Sequence, residues 1–280
     1  MMQPPEEING ALLIDKPAGP TSHDIVDVVR DLYRLKKVGH CGTLDPAATG
    51  LLVCLLGRAT KLSQKLMADD KAYHGVIAFG SATDSYDADG KVTETNDIPP
   101  LTLDQLNESA TAFKGDQQQL PPMVSAVKKD GVALYKHARK GREIEREPKL
   151  VHIYQFEFTD YTPPVARFQV RCTKGTYVRS LAHELGQQLG CGAHLKHLHR
   201  TRSGEFDVAD AIRLEKLCHL PDEELPLRLM TLLDLARLLQ PACKSSTPPP
   251  PSTRPSAASA PPLACSTASI SATNKSSAKQ

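Results

Sequence analysis

No stretch of this 280-residue chain approaches the roughly 18 consecutive apolar residues that a membrane-spanning helix needs. Its first residues, with Glu6 and Glu7, lack the basic-then-apolar order of a secretory signal. Cys41, Cys54, Cys172, Cys191, Cys218, Cys243 and Cys265 form an odd, scattered set without a Cys-x-x-Cys pair, which argues against a disulfide framework or a zinc finger. His183-Glu184 opens like a zinc-protease helix, but Gln187 stands where the second histidine belongs. No repeat of 20–50 residues is visible. A cytoplasmic protein is expected.

Composition is that of an ordinary globular chain, 40% hydrophobic and 24% charged, long enough to bury a sizeable core. The net charge of +2 hides a split. Lys244, Arg254, Lys275 and Lys279 face no acid after residue 240, and removing those four charges leaves residues 1–240 at −2. A nucleic-acid partner therefore has to be held by local basic patches. Residues 241–280 are rich in Pro, Ser and Ala and poor in large apolar side chains, so they cannot offset their ordering entropy. We expect one domain over 1–240 and a disordered tail over 241–280.

The densest signal lies over residues 39–57. Asp45 is the only acid there, set between a tight loop (Gly39, Gly42, Pro46) and an apolar run over 51–56 that reads as a buried strand. A carboxylate held in a loop against a hydrophobic element suits a nucleophile or a base. Asp-Pro is also a common turn initiator, so the residues alone leave a purely structural reading open.

Around it the chain mixes strands, hairpins and helices. A strand over 11–14 precedes a helix starting at Ser22, read as its N-cap, and reaching about Arg34. A short helix over 59–67, a strand over 71–80, a turn-rich loop over 83–90 and a helix over 103–113 capped by Thr102 follow. Asp130-Gly131 signals a hairpin turn, with a short basic helix over 132–140. Strands over 151–161 and 165–172 form a hairpin, and a helix carrying Leu181, Leu185 and Leu189 stops at Gly190. Residues 191–202 read as a strand loaded with His, Lys and Arg, on a wet or RNA-facing edge. Helices are expected over 208–217 and 225–239. Residues 128–149 hold eight basic side chains against four acids, a run that is usually a solvated face. The class is α+β with a mixed, largely antiparallel sheet.

Five segments in order carry a resemblance to the TruB family, the bacterial tRNA pseudouridine-55 synthases. They are Asn9 to Pro17, His40 to Gly50 (His-Cys-Gly-Thr-Leu-Asp-Pro-Ala-Ala-Thr-Gly), Asp70 to Tyr73, Lys174 to Arg179 (Lys-Gly-Thr-Tyr-Val-Arg) and Leu189 to Leu195; the loop over 83–90 also fits. The resemblance implies a mixed sheet flanked by helices with a central cleft, no cofactor and no metal. It implies a monomer that isomerises uridine to pseudouridine in the T-loop of tRNA. By the same resemblance Asp45 is the catalytic aspartate, Tyr73 contacts the base and moves a proton from its C5, and Arg179 pairs with the aspartate. His40, Tyr177 and Leu198 line the uridine site, with His40 taking part in the rearrangement that exposes the base.

The chemistry fits those side chains. Breaking the N–C glycosidic bond and making a C–C bond involves no net redox change, so no metal or nucleotide cofactor is demanded. A carboxylate kept ionised is demanded, and a guanidinium partner favours it. Unstacking the base costs about a few kcal/mol, which stacking on an aromatic ring, worth about 1–3 kcal/mol, can offset.

Two departures stand out. Cys41 occupies a position that is usually Thr in the family, suggesting an oxidation-sensitive site. Members commonly add a C-terminal RNA-binding domain of PUA type, where here only the Pro/Ser/Ala tail follows. Affinity is then expected to lean on residues 128–149 and 194–202 and to fall steeply with salt. Two alternatives remain at this stage: an RNA-folding helper that binds tRNA without modifying it, and a synthase for another structured RNA. The intact set of Asp45, Tyr73 and Arg179 speaks against a pure binder.

Overall fold

Alternating apolar residues build the sheet of this protein, whose computed structural model describes residues 8–125, 127–129, 131–134, 137, 142 and 144–239. The strands in chain order are β1 (Gly10–Lys16), β2 (Val38–His40), β3 (Thr49–Leu56), β4 (Lys71–Phe79), β5 (Ser81–Thr83), β6 (Val92–Thr95), β7 (Gly115–Gln119), β8 (Lys128–Lys129) and β9 (Val132–Ala133). They continue with β10 (Lys149–Thr162), β11 (Val165–Cys172), β12 (Ala193–Ser203), β13 (Phe206–Asp207), β14 (Ile212–Arg213) and β15 (Met230–Thr231). One mixed sheet runs β14-β1-β3-β12-β4-β11-β10-β7, with β2, β13 and β15 added to β3, β12 and β1. The β3–β12 and β1–β14 pairs are parallel and the remaining pairs of this sheet antiparallel. No described helix is long and apolar enough to cross a membrane.

β3 is buried on both faces, as its unbroken run Leu51 to Leu56 requires. One face packs on helix Ser22–Leu32 through Ile25, Val26 and Val29. The other packs on Ala59, Leu66, Phe206 and Leu235. β11 instead alternates: Ala166, Phe168, Val170 and Cys172 point into a third cluster with helices Leu103–Thr111 and Val178–Gln188, while Arg167 and Arg171 face water.

Several expectations are corrected. The N-cap of the first helix is Thr21, not Ser22, and it closes a capping box with Asp24. The helix ends at Leu32. Residues 57–67 are a 3₁₀ turn, Gly57–Leu62, followed by helix Ser63–Met67. The helix expected over 132–140 starts later: Val132–Ala133 is β9, which pairs with β8, and the described residues Leu134 and His137 are helical. Residues 130, 135, 136, 138–141 and 143 lie outside the described residues. Much of the basic run is therefore undescribed, as is the tail expected to be disordered over 241–280. Residues 208–217 break into a 3₁₀ turn (Val208–Asp210), β14 and the short helix Leu214–Cys218. Residues 225–239 break into a 3₁₀ turn (Pro226–Arg228), β15 and helix Leu232–Leu238.

The largest correction concerns residues 191–202. β12 is no edge: it lies between β3 and β4 in the middle of the sheet. Its polar residues mislead because Lys196, His197 and Arg202 are exposed even in the middle of the sheet, while Arg200 is 1% exposed.

Candidate active site

Asp45 lies in the loop between β2 and β3, and that loop is fastened from beneath. Lys16, fully buried at the end of β1, donates from Nζ to Pro17 O (2.9 Å), Pro46 O (3.0 Å) and Ala48 O (2.7 Å). Burial lowers the Lys16 ammonium to about 8, with the Asp45 carboxylate pulling the other way. The Ser22 hydroxyl clips the residue before the aspartate, accepting from Leu44 N (2.8 Å) and donating to Leu44 O (3.0 Å). This is what makes Ser22 a buried site support and not a helix cap.

Arg179 enters from the first turn of helix Val178–Gln188. The residue before the helix, Tyr177, exchanges two bonds with the buried Gln119 side chain, at 2.6 Å from Tyr177 N and 3.0 Å to Tyr177 O. The 3% exposed Arg179 then donates around its whole fork. Nε reaches Asp45 Oδ2 at 3.0 Å and Nη2 reaches Asp45 Oδ1 at 3.3 Å. Nη1 donates to Asp87 Oδ2 and to Ser85 O, both at 3.1 Å, and Nη2 also to Val124 O at 2.8 Å. A cation opposing the helix dipole is thus offset by two carboxylates. Asp45 keeps 43% of its side chain exposed toward the cleft, against 4% for its partner. Burial raises the Asp45 carboxyl above 3.8; Arg179 lowers it and Asp87 raises it further.

Asp45 and Arg179 line a cavity of about 1080 Å³ together with Leu44, Lys71, Tyr73, Tyr177, Leu198 and Arg200. Tyr73 sits on β4 directly opposite Arg200 on β12. Burial pushes its phenol up to about 12, while the positive charge of Arg200 acts in the opposite sense. Arg200 also donates to Leu51 O (2.7 Å) and Gly42 O (3.1 Å), tying the Asp45 loop to β3. Burial raises the Tyr177 phenol as well.

Five of the six residues expected from sequence therefore converge: Asp45, Arg179, Tyr73, Tyr177 and Leu198. His40 does not line the cavity. It is half-buried on β2, and burial lowers its imidazole. Cys41 is also away from the cavity wall and 1% exposed, with its thiol pushed up to about 12. A thiol so protonated and enclosed is inert, which removes the expected oxidation sensitivity. Asp87, Arg200, Lys16, Ser22 and Gln119 carry no local sequence signal for these roles; Asp87 lies in the turn-rich loop over 83–90, and only its place in space singles it out. Among the described residues no group of three or more His, Cys, Asp or Glu is arranged to hold a metal ion.

Comparison with known proteins places this arrangement. The model of the TruB family pseudouridylate synthase N-terminal domain matches residues 30–178, and that of the tRNA pseudouridylate synthase B C-terminal domain matches residues 179–242. The chain is 50% identical over 236 residues to tRNA pseudouridine synthase B of Opitutus terrae, covering 84% of this chain and 98% of that protein. It is 50% identical over 214 residues to the namesake from Symbiobacterium thermophilum, covering 75% and 72%. Among solved structures, a Cbf5-Nop10-Gar1 complex aligns with TM-score 0.64 and 27% identity, over 83% of this chain and 62% of that one. The fold with its central cleft is that of the pseudouridine synthases, and the chain belongs to the TruB family of pseudouridylate synthases.

Proposed function

We propose that this protein isomerises uridine to pseudouridine at position 55, in the T-loop of tRNA. The observation that carries the reading is the two-pronged Arg179–Asp45 pair on the wall of a cavity that also presents Tyr73, Tyr177 and Leu198. The cavity has room for a swung-out nucleoside, and the two phenols offer faces for the uracil. Asp45, held anionic by Arg179, assists departure of the uracil by attacking the sugar or the base. The base then turns and bonds to the sugar through C5. The proton left on C5 passes to the Tyr73 oxygen, whose own proton goes to the ring nitrogen freed from the sugar, so the proton count closes. His40, beside the loop, assists the RNA rearrangement. The reading includes a monomer in the cytoplasm that recruits neither metal nor organic cofactor, because the reaction is redox-neutral.

The test follows from atom balance. The product forms its new bond at C5, so a T-arm RNA labelled with tritium at C5 of uridine releases the label to water when converted. Release by the wild type and its loss in Asp45→Asn support the reading. RNA binding without release would favour a tRNA-folding helper instead.

A further inference from the structure

Asp87 reaches Arg179 only because the loop over residues 84–90 turns back across helix Val178–Gln188. Tyr86 makes that turn with φ +65, a left-handed conformation that a bulky side chain rarely adopts. The backbone is stitched to β12, with Leu195 N donating to Tyr86 O (2.9 Å) and Ala88 N to Leu195 O (3.0 Å). On the helix side the contact is made by rings. The Tyr86 phenol lies flat on the His183 imidazole, centroids 3.9 Å apart and planes 14° from parallel. His183 follows Arg179 by four residues, so both project from one helix face a turn apart. Nδ1 of His183 is buried without a hydrogen-bond partner among the described residues, which leaves the stack to orient the ring on that side.

We propose that Tyr86 and His183 are positioning residues for the Asp45 chemistry, their stack locking the loop on the helix so that Asp87 and Ser85 hold the Arg179 fork in register. The inference rests on the reaction proposed above. Its physical basis is the rigidity of a guanidinium. Ser85 O and Asp87 Oδ2 both fix Nη1, and in a planar group this sets where Nε and Nη2 point, which is at Asp45. With the stack gone the loop loosens, the fork rotates, and Asp45 loses its second bond.

The experiment measures single-turnover isomerisation and T-arm RNA affinity for Tyr86→Ala, His183→Ala and Tyr86→Phe, together with the carboxyl titration of Asp45 by carbon NMR on the free protein. Tyr86→Ala and His183→Ala are expected to slow the bound-state step by about tenfold or more, with RNA affinity within about twofold. Tyr86→Phe keeps the flat ring and restores most of the rate. Combining Tyr86→Ala with Asp87→Asn adds little to Asp87→Asn alone, since both act through one contact. In Tyr86→Ala the Asp45 midpoint rises, as in Asp87→Asn, because the slackened Arg179 fork, the stronger of the two charged influences on it, no longer lowers it fully. A lowered melting temperature with rate and midpoint unchanged overturns the proposal, and so does full additivity. Should Tyr86→Ala fail to fold, Tyr86→Leu, which fills the space without a flat face, serves the same test. A wild type that isomerises nothing sinks the proposed reaction, whereas an Asp45 midpoint indifferent to Tyr86 sinks the positioning role.

Discussion

Two guanidinium groups are buried beside one cavity, and they keep opposite company. Arg179 meets the carboxylates of Asp45 and Asp87. Arg200, still less exposed, donates to two backbone carbonyls and stands opposite Tyr73, and among the described residues no carboxylate forms an ion pair with it. The same side chain thus does two jobs. Beside carboxylates its charge shapes the reactivity of an acid; beside carbonyls its donors join strands, and the residual field eases ionisation of a phenol.

Substitutions can break this contrast. The largest effect is expected for Asp45→Asn, which removes the carboxylate while keeping its shape: isomerisation should fall by at least about 10⁴-fold with T-arm binding retained. Arg179→Lys keeps the charge and loses the fork, and its rate constant should drop by about 10²–10³-fold, measured as tritium release in single turnover. Arg200→Lys should instead show mainly in urea unfolding, at a cost of about 2–3 kcal/mol from carbonyls left short of donors. Equal kinetic losses at both arginines would erase the distinction.

A finer test uses pH. The Asp45 carboxyl is raised, so its ionised form, and activity with it, is lost as pH falls through a midpoint above 3.8. Asp87→Asn slackens the Arg179 fork and should move that acid limb to higher pH. A limb that moves down would show that Asp87 acts through its charge and not by holding Arg179. Tyr73, at about 12, contributes no alkaline limb below about pH 10. The smallest effect concerns Cys41: iodoacetamide at pH 8 should modify the exposed Cys218 and spare Cys41 in the folded protein.

What could be read before folding follows from the range of each interaction. The Asp45 loop, the 103–111 helix with its Thr102 cap and the 149–172 hairpin are local, so apolar period and turn residues mark them. A local signal cannot choose between Thr21 and Ser22, since two adjacent hydroxyl residues both suit a cap; in the fold Thr21 takes it and Ser22 grips Leu44. β12 looked like an edge because polar residues alternate along it. Alternation reports which face is open, never the place of a strand in the sheet. Arg200 and Asp87 belong to no local pattern, since their partners lie 149 and 92 residues away.

The pairing of Asp45 with Arg179 spans 134 positions of chain, and this has a consequence for biosynthesis. A nascent polypeptide that has emerged only as far as Tyr177 carries the acid without the base that tames it. Neither of the two segments matched on either side of residue 178 holds both charges. The enzyme therefore cannot be half made: competence arrives late, when distant strands have closed the sheet. Two fragments cut between Val178 and Arg179 would each be inert until they met.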